Sequence, residues 1–215
     1  MMITKEEIEK RRTSDQLKSF VEEVRKRVDS DPDELQRARR GKGLYKVFVN
    51  EVMPLARFAH LLYSPETLFL PVLGNQGYDV EVFDGQGNPF DRIEIAKPHD
   101  GQAQAEDNRL VNERGSGQTR VYDFGGQLDA LAPWIADTAE NKSLKDYGDC
   151  TLVFMAAIDP PFDEELPVLE QRSIEIVEKM GKMAFRAKRA FLAVPSLNKC
   201  FEIGETKGTR QRGRS

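Results

Sequence analysis

Thr151-Leu152-Val153-Phe154-Met155-Ala156-Ala157-Ile158 is an unbroken apolar run, and its reading decides the fold. A strand with one wet face alternates apolar and polar residues. A strand covered by helices on both faces reads as a continuous apolar stretch. Ala190 to Val194 repeats the pattern, and Cys200 to Ile203 reads as a last edge strand. Helical spacing brackets the first run. Leu128, Leu131, Ile135 and Thr138 share one face of a helix over Gln127–Tyr147, Lys142 and Lys145 continue that face, and Pro133 kinks the helix or sets its start. Leu166, Leu169, Ile176, Val177 and Met180 outline a second helix. Two buried strands flanked by helices predict an α/β fold: a three-layer α/β/α sandwich around a central mixed sheet, with N-terminal helices added.

Toward the N-terminus come three short strands, Leu68–Leu73, Tyr78–Phe83 and Asp91–Lys97. The turn signal Gly74-Asn75-Gln76-Gly77 and the loop Asp84–Pro89 separate them. Before them, Leu44–Tyr63 carries a helix that Asn50 can cap, with Pro54 in its first turn, where the missing amide is tolerated. Leu17, Phe20, Val21, Val24 and Val28 form one apolar stripe, capped by Ser14 or Asp15. Asp31-Pro32-Asp33-Glu34 starts another helix that should stop at Gly41. The expected organisation is a helical arm over 1–43, an α/β core over 44–203, and a basic tail over 204–215. That tail, with Lys207, Arg210, Arg212 and Arg214, reads as disordered by composition. Residues 99–125 are polar and glycine-rich, with a short strand expected at Arg120–Phe124.

Composition narrows the function classes. The chain has 215 residues, 39% hydrophobic and 32% charged, as a well-solvated globular protein does. No apolar run nears the roughly 18 residues of a membrane span, and Met1 to Glu7 lacks an apolar signal region, so the expectation is a cytoplasmic protein without a membrane partner. Cys150 and Cys200 are isolated and read as buried free thiols. Net charge is −4 but uneven. Residues 47–149 hold 8 Lys/Arg against 17 Asp/Glu, whereas both ends are mildly basic, with Arg37, Arg39, Arg40 and Lys42 clustered. An acidic middle between basic ends suits a metal-binding centre flanked by phosphate-contacting arms; it also suits ordinary solvated faces. Gly115-Ser116-Gly117 lacks the strand–turn–helix setting of a nucleophile elbow, and Gly41-Lys42-Gly43 lacks the spacing of a phosphate loop. His60 reads as structural and His99 as a turn residue.

The chemistry-bearing residues lie on the short strands. Asp and Glu are depleted in strands, yet Asp79 and Glu81 interrupt one apolar run and Glu94 the next. Alternation puts Tyr78, Val80 and Val82 on one face and Asp79, Glu81 and Phe83 on the other; Glu94 and Ala96 share a face on the following strand. If those strands pair, Asp79 and Glu94 approach one another. Two carboxylates can hold a hard divalent cation such as Mg²⁺ or Mn²⁺.

At these residues the chain resembles the PD-(D/E)xK nuclease superfamily, the restriction-endonuclease-like fold, over roughly Leu44 to Ile203. Asp79 stands where that superfamily carries its strand aspartate, and Glu94-Ile95-Ala96 where it carries an acid-x-lysine triplet. Asn141-Lys142-Ser143-Leu144-Lys145-Asp146-Tyr147, ahead of Leu152-Val153-Phe154, looks like the lysine- and tyrosine-bearing helix that precedes the buried strand in many members. Glu51 matches an early helical glutamate. The resemblance implies Mg²⁺-dependent hydrolysis of nucleic acid, DNA or RNA, with Asp79, Glu94 and Glu51 on the metal side and the basic residues at the two ends on the backbone; a homodimer is compatible with it. One departure stands out: the lysine that orients the attacking water is replaced by Ala96. Lys97 is adjacent but turned to the other face unless a bulge re-aims it. Lys142 or Lys145 could reach in from the helix, or Gln102 or Gln104 could position the water. The alternative is a catalytically inactive module on the same fold that binds nucleic acid or a protein partner.

Overall fold

The computed structural model describes residues 2–41, 43–74, 76–98, 109, 110, 113 and 124–204. Lys42, His99, Gln102, Gln104, Gly115-Ser116-Gly117, Arg120 and the tail with Lys207, Arg210, Arg212 and Arg214 lie outside the described residues.

One sheet organises the chain. Its strands are β1 (Leu68–Pro71), β2 (Val80–Phe83), β3 (Pro89–Ala96), β4 (Cys150–Met155), β5 (Arg189–Val194) and β6 (Lys199–Glu202), side by side in sequence order. The β1–β2 and β2–β3 pairs are antiparallel, β3–β4 and β4–β5 parallel, and β5–β6 antiparallel. Every residue of β4 is buried, as its continuous apolar run requires.

Alternation divides the core into two. Val80, Val82, Ile93, Ile95, Val153, Met155 and Ala193 face the N-terminal helices. Ala96, Leu152, Phe154, Ala190, Leu192 and Val194 face the later helices α6 (Phe124–Ser143) and α7 (Leu166–Met180). From α6 come Leu128, Leu131, Ile135 and Ala139; from α7 come Leu169, Ile176 and Met180. The fold is therefore α/β with a six-stranded mixed sheet and a helical layer on each face.

The N-terminal layer is built from α1 (Lys5–Ile8), α2 (Ser14–Ser30), α3 (Pro32–Arg39), α4 (Leu44–Val47) and α5 (Met53–Leu62). Within the first 43 residues, expected as a separate arm, Ile3, Ile8, Leu17, Phe20 and Val24 are buried with the strands. Arg12 also extends the sheet, exchanging both backbone hydrogen bonds with Phe69 of β1 at 3.0 and 2.8 Å. The apolar stripe of α2 gave no clue to this, because a stripe shows that a face is covered and not by what. The α2 cap is Thr13 rather than Ser14 or Asp15. Its hydroxyl accepts the Gln16 amide, and the Gln16 side chain accepts the Thr13 amide at 3.0 Å. Thr13→Ala should cost about 1 kcal/mol and lower the melting temperature by about 2–4 °C, readable by thermal unfolding.

Three further expectations are corrected. Asn50 does not cap a helix: α4 continues through a π-helical turn, Phe48–Val52, directly into α5. In a regular α-helix the Pro54 ring would press on the carbonyl four residues back, that of Asn50. The wider turn, closed by Met53 N–H to the Phe48 carbonyl, relieves it. Tyr78 is not in β2 and does not share the Val80 face; it packs with the opposite core cluster. The helix expected over Gln127–Tyr147 runs from Phe124 to Ser143, with Pro133 inside it, so Phe124 opens a helix rather than closing a strand.

Candidate active site

Four side chains meet where β2, β3, the π-turn and the end of α6 come together. The β2–β3 register pairs Val80 with Ile93 and Glu81 with Arg92, so Asp79 lies opposite Glu94 by continuation. Asp79 is one residue outside β2, and its carboxylate does what a strand backbone would have done: it accepts the Ile95 amide at 2.8 Å. Its own backbone still holds to both neighbours, Asp79 N–H donating to Ile93 and Val72 N–H donating to Asp79. Asp79 is thus fixed at the end of the ladder by main chain and side chain together.

Glu94 projects from β3 on the face that carries buried Ala96. Its Oε1 accepts from Lys142 Nζ at 2.5 Å, and the two side chains are only 15% and 18% exposed. Lys142 comes from the last turn of α6, placed by the packing of Leu128, Leu131, Ile135 and Ala139 on the sheet. Burial alone would lower its pKa; the hydrogen bond and charge of Glu94 outweigh that and raise it.

Glu51 sits in the π-turn. Burial drives its pKa up to about 8, the charges of Asp79 and Glu94 add to the rise, and Lys46 opposes it. Burial and the Glu94 charge push Asp79 up to about 6 against the Ile95 amide and Lys142. These shifts are those of carboxylates sharing one poorly solvated site with too little positive charge among them. Among the described residues no three His, Cys, Asp or Glu side chains converge at metal-ligating geometry. Two of the acids explain why: Glu94 is turned to Lys142 and Asp79 to the Ile95 amide.

The other lysines are elsewhere. Lys97 follows β3 within the electrostatic influence of Arg57 on α5, and burial with that charge lowers its pKa. Lys145, past the end of α6, is exposed. Of the distal basic cluster, Arg37 is paired with Glu34 at 2.8 Å. His60 on α5 bonds Asn198 through Nε2 at 3.2 Å, in keeping with a structural role.

One residue of the lysine- and tyrosine-bearing stretch has no chemical role assigned from the sequence. Tyr147, four residues past α6, is 7% exposed in the second core cluster, and its ring centre lies 5.3 Å from Lys142 Nζ. Its spacing from Lys142, just ahead of a fully buried strand, was the available signal. No protein-family model, curated protein or solved structure matches the chain. No helix among the described residues is long and apolar enough to cross a membrane.

Proposed function

We propose that this protein is a metal-dependent nuclease that hydrolyses phosphodiester bonds of nucleic acid on a restriction-endonuclease-like scaffold. The observation that carries the reading is the Lys142–Glu94 contact at 2.5 Å. A lysine from a helix stands where the strand position, Ala96, has none. The order of strand pairings and the layer of helices on each face agree with such a scaffold. With Lys142 at the acids, Ala96 no longer favours a purely binding module.

The donor chemistry fits Mg²⁺ or Mn²⁺. The candidates are all carboxylates, the oxygen donors hard cations select, and the raised pKa values of Glu51 and Asp79 mark a deficit of positive charge. Asp79 and Glu94, assisted by Glu51, would hold the ion, which when bound supplies Lewis-acid stabilisation of a phosphoryl oxygen and a more acidic water. The chain supplies the rest. Asp79 is held at its position by the ladder end. Lys142, kept protonated by Glu94, orients the attacking water and offsets negative charge developing on the phosphate. The walls formed by α6 and the sheet limit solvent around both.

The test is cleavage of labelled single-stranded and duplex DNA and RNA with Mg²⁺ or Mn²⁺ against chelator, with thermal unfolding run alongside. Metal-dependent products and a metal-raised melting temperature support the reading. Absence of both ends it.

A further inference from the structure

Tyr147 is anchored twice by its backbone: its N–H donates to the Arg186 carbonyl and its carbonyl accepts the Cys150 amide, at 2.8 and 2.9 Å. The ring packs in the second core cluster. Neither anchor uses the phenol. Among the described residues the Tyr147 hydroxyl, a buried polar atom, finds no acceptor for its proton; the side chain that interacts with it, Lys142, can only donate. Leaving such a group unpaired costs about 1–3 kcal/mol, so native chains rarely do it without a use.

Its surroundings say what could complete it. Burial raises the pKa of the phenol, Lys142 opposes the rise, and the charges of Glu94 and Asp79 add to it. The hydroxyl therefore stays protonated at neutral pH and is available as a donor. One oxygen of each nearby acid is taken, Glu94 Oε1 by Lys142 and Asp79 Oδ2 by the Ile95 amide, and neither acid's second oxygen accepts from the hydroxyl. An acceptor for it has to tolerate a neighbouring ammonium, as an anionic oxygen does.

We propose that the Tyr147 hydroxyl binds the substrate directly, donating to a non-bridging oxygen of the phosphate group undergoing hydrolysis. The proposal rests on the nuclease reading of this site and adds a residue to it. Lys142 and Tyr147 then form a two-donor edge facing the phosphate, one charged and one neutral, beside Glu94. Such an edge selects a phosphate ester over a carboxylate ester, because a tetrahedral group offers several anionic oxygens to separated donors.

The discriminating variant is Tyr147→Phe, which removes one oxygen and keeps the ring. Three readings are taken on wild type and variant: melting temperature without ligand, its shift with Mg²⁺ plus inorganic phosphate over Mg²⁺ alone, and the rate of metal-dependent cleavage. The expected result is an unchanged or higher melting temperature, loss of the phosphate-specific shift, and cleavage slower by about tenfold or more. A melting temperature several degrees lower would mean the hydroxyl serves the fold, and overturns the proposal. Wild-type cleavage that Tyr147→Phe leaves intact overturns the contact while sparing the nuclease reading. A phosphate shift lost in the variant, with no cleavage by wild type under any metal, keeps the contact and removes hydrolysis. No phosphate shift and no cleavage in wild type overturns both.

Discussion

Lys142→Ala should lower metal-dependent cleavage by about two to three orders of magnitude, the usual cost of removing a positioned cation or donor at a developing negative charge. The lysine has a second job that shapes the experiment. It is the only cation hydrogen-bonded to Glu94 among the described residues, so its loss leaves Glu94 beside Asp79 and Glu51 with less compensation. Breaking one side of a buried ion pair is costly, although partial exposure of this one tempers the effect. The variant should therefore melt lower as well as cleave slower, and Mg²⁺ should recover more of its melting temperature than of wild type's. Lys142→Arg separates the roles: it keeps the charge and so most of the stability, but a planar fork cannot place one donor as an ammonium does. Equal cleavage by wild type and Lys142→Ala would remove Lys142 from the chemistry.

Glu51 should make the protein less stable as pH rises. Its pKa in the fold is about 8, well above its ordinary value of 4.5. A carboxyl raised by folding binds more protons in the native than in the unfolded state between those values. Stability is therefore fullest below about pH 4.5 and declines as pH climbs through about 8. Asp79, raised to about 6, contributes in the same direction over a lower window. Glu51→Gln keeps the shape without the charge, so it should leave the melting temperature near wild type at pH 5 and raise it by more than about 4 °C at pH 9. Binding of Mg²⁺ should displace the same proton, so stabilisation by the metal should grow from pH 6 to pH 8.5. Thermal unfolding across pH, with and without Mg²⁺, reads both. A Glu51→Gln profile parallel to wild type at every pH would show that Glu51 ionises as an ordinary exposed acid.

The parts of the fold legible in the sequence were those whose pattern has one physical cause. The apolar run from Thr151 reads as a segment buried all round, and β4 is buried at every residue, although it ends at Met155 and Ala157, within the run, is exposed. Strand alternation lets Asp79 and Glu94 approach if their strands pair, and continuing the β2–β3 register past Val80–Ile93 sets them opposite one another. Other features depended on tertiary context. Asn50 and Pro54 look like a helix start to any local rule, and only the continuation of α4 through a π-turn makes them internal. The docking of residues 3–28 on the sheet cannot be read from their own stripe. Lys142 was one of several lysines able to reach the acids. What distinguishes it is the way α6 lies on the sheet, which no spacing encodes. Tyr147 was legible only as part of a lysine- and tyrosine-bearing stretch; that its hydroxyl finds no acceptor is a property of its surroundings.

The provenance of that lysine has a kinetic consequence. A cation two residues along β3 would be in place as soon as the strand formed. Lys142 is separated from Glu94 by 48 positions in the chain, so closing a long loop must precede their meeting. Until α6 docks, the acids face one another without it. The charge balance at the acids then waits on that closure, and a chain lacking α6 would carry the carboxylates without the ammonium that faces Glu94.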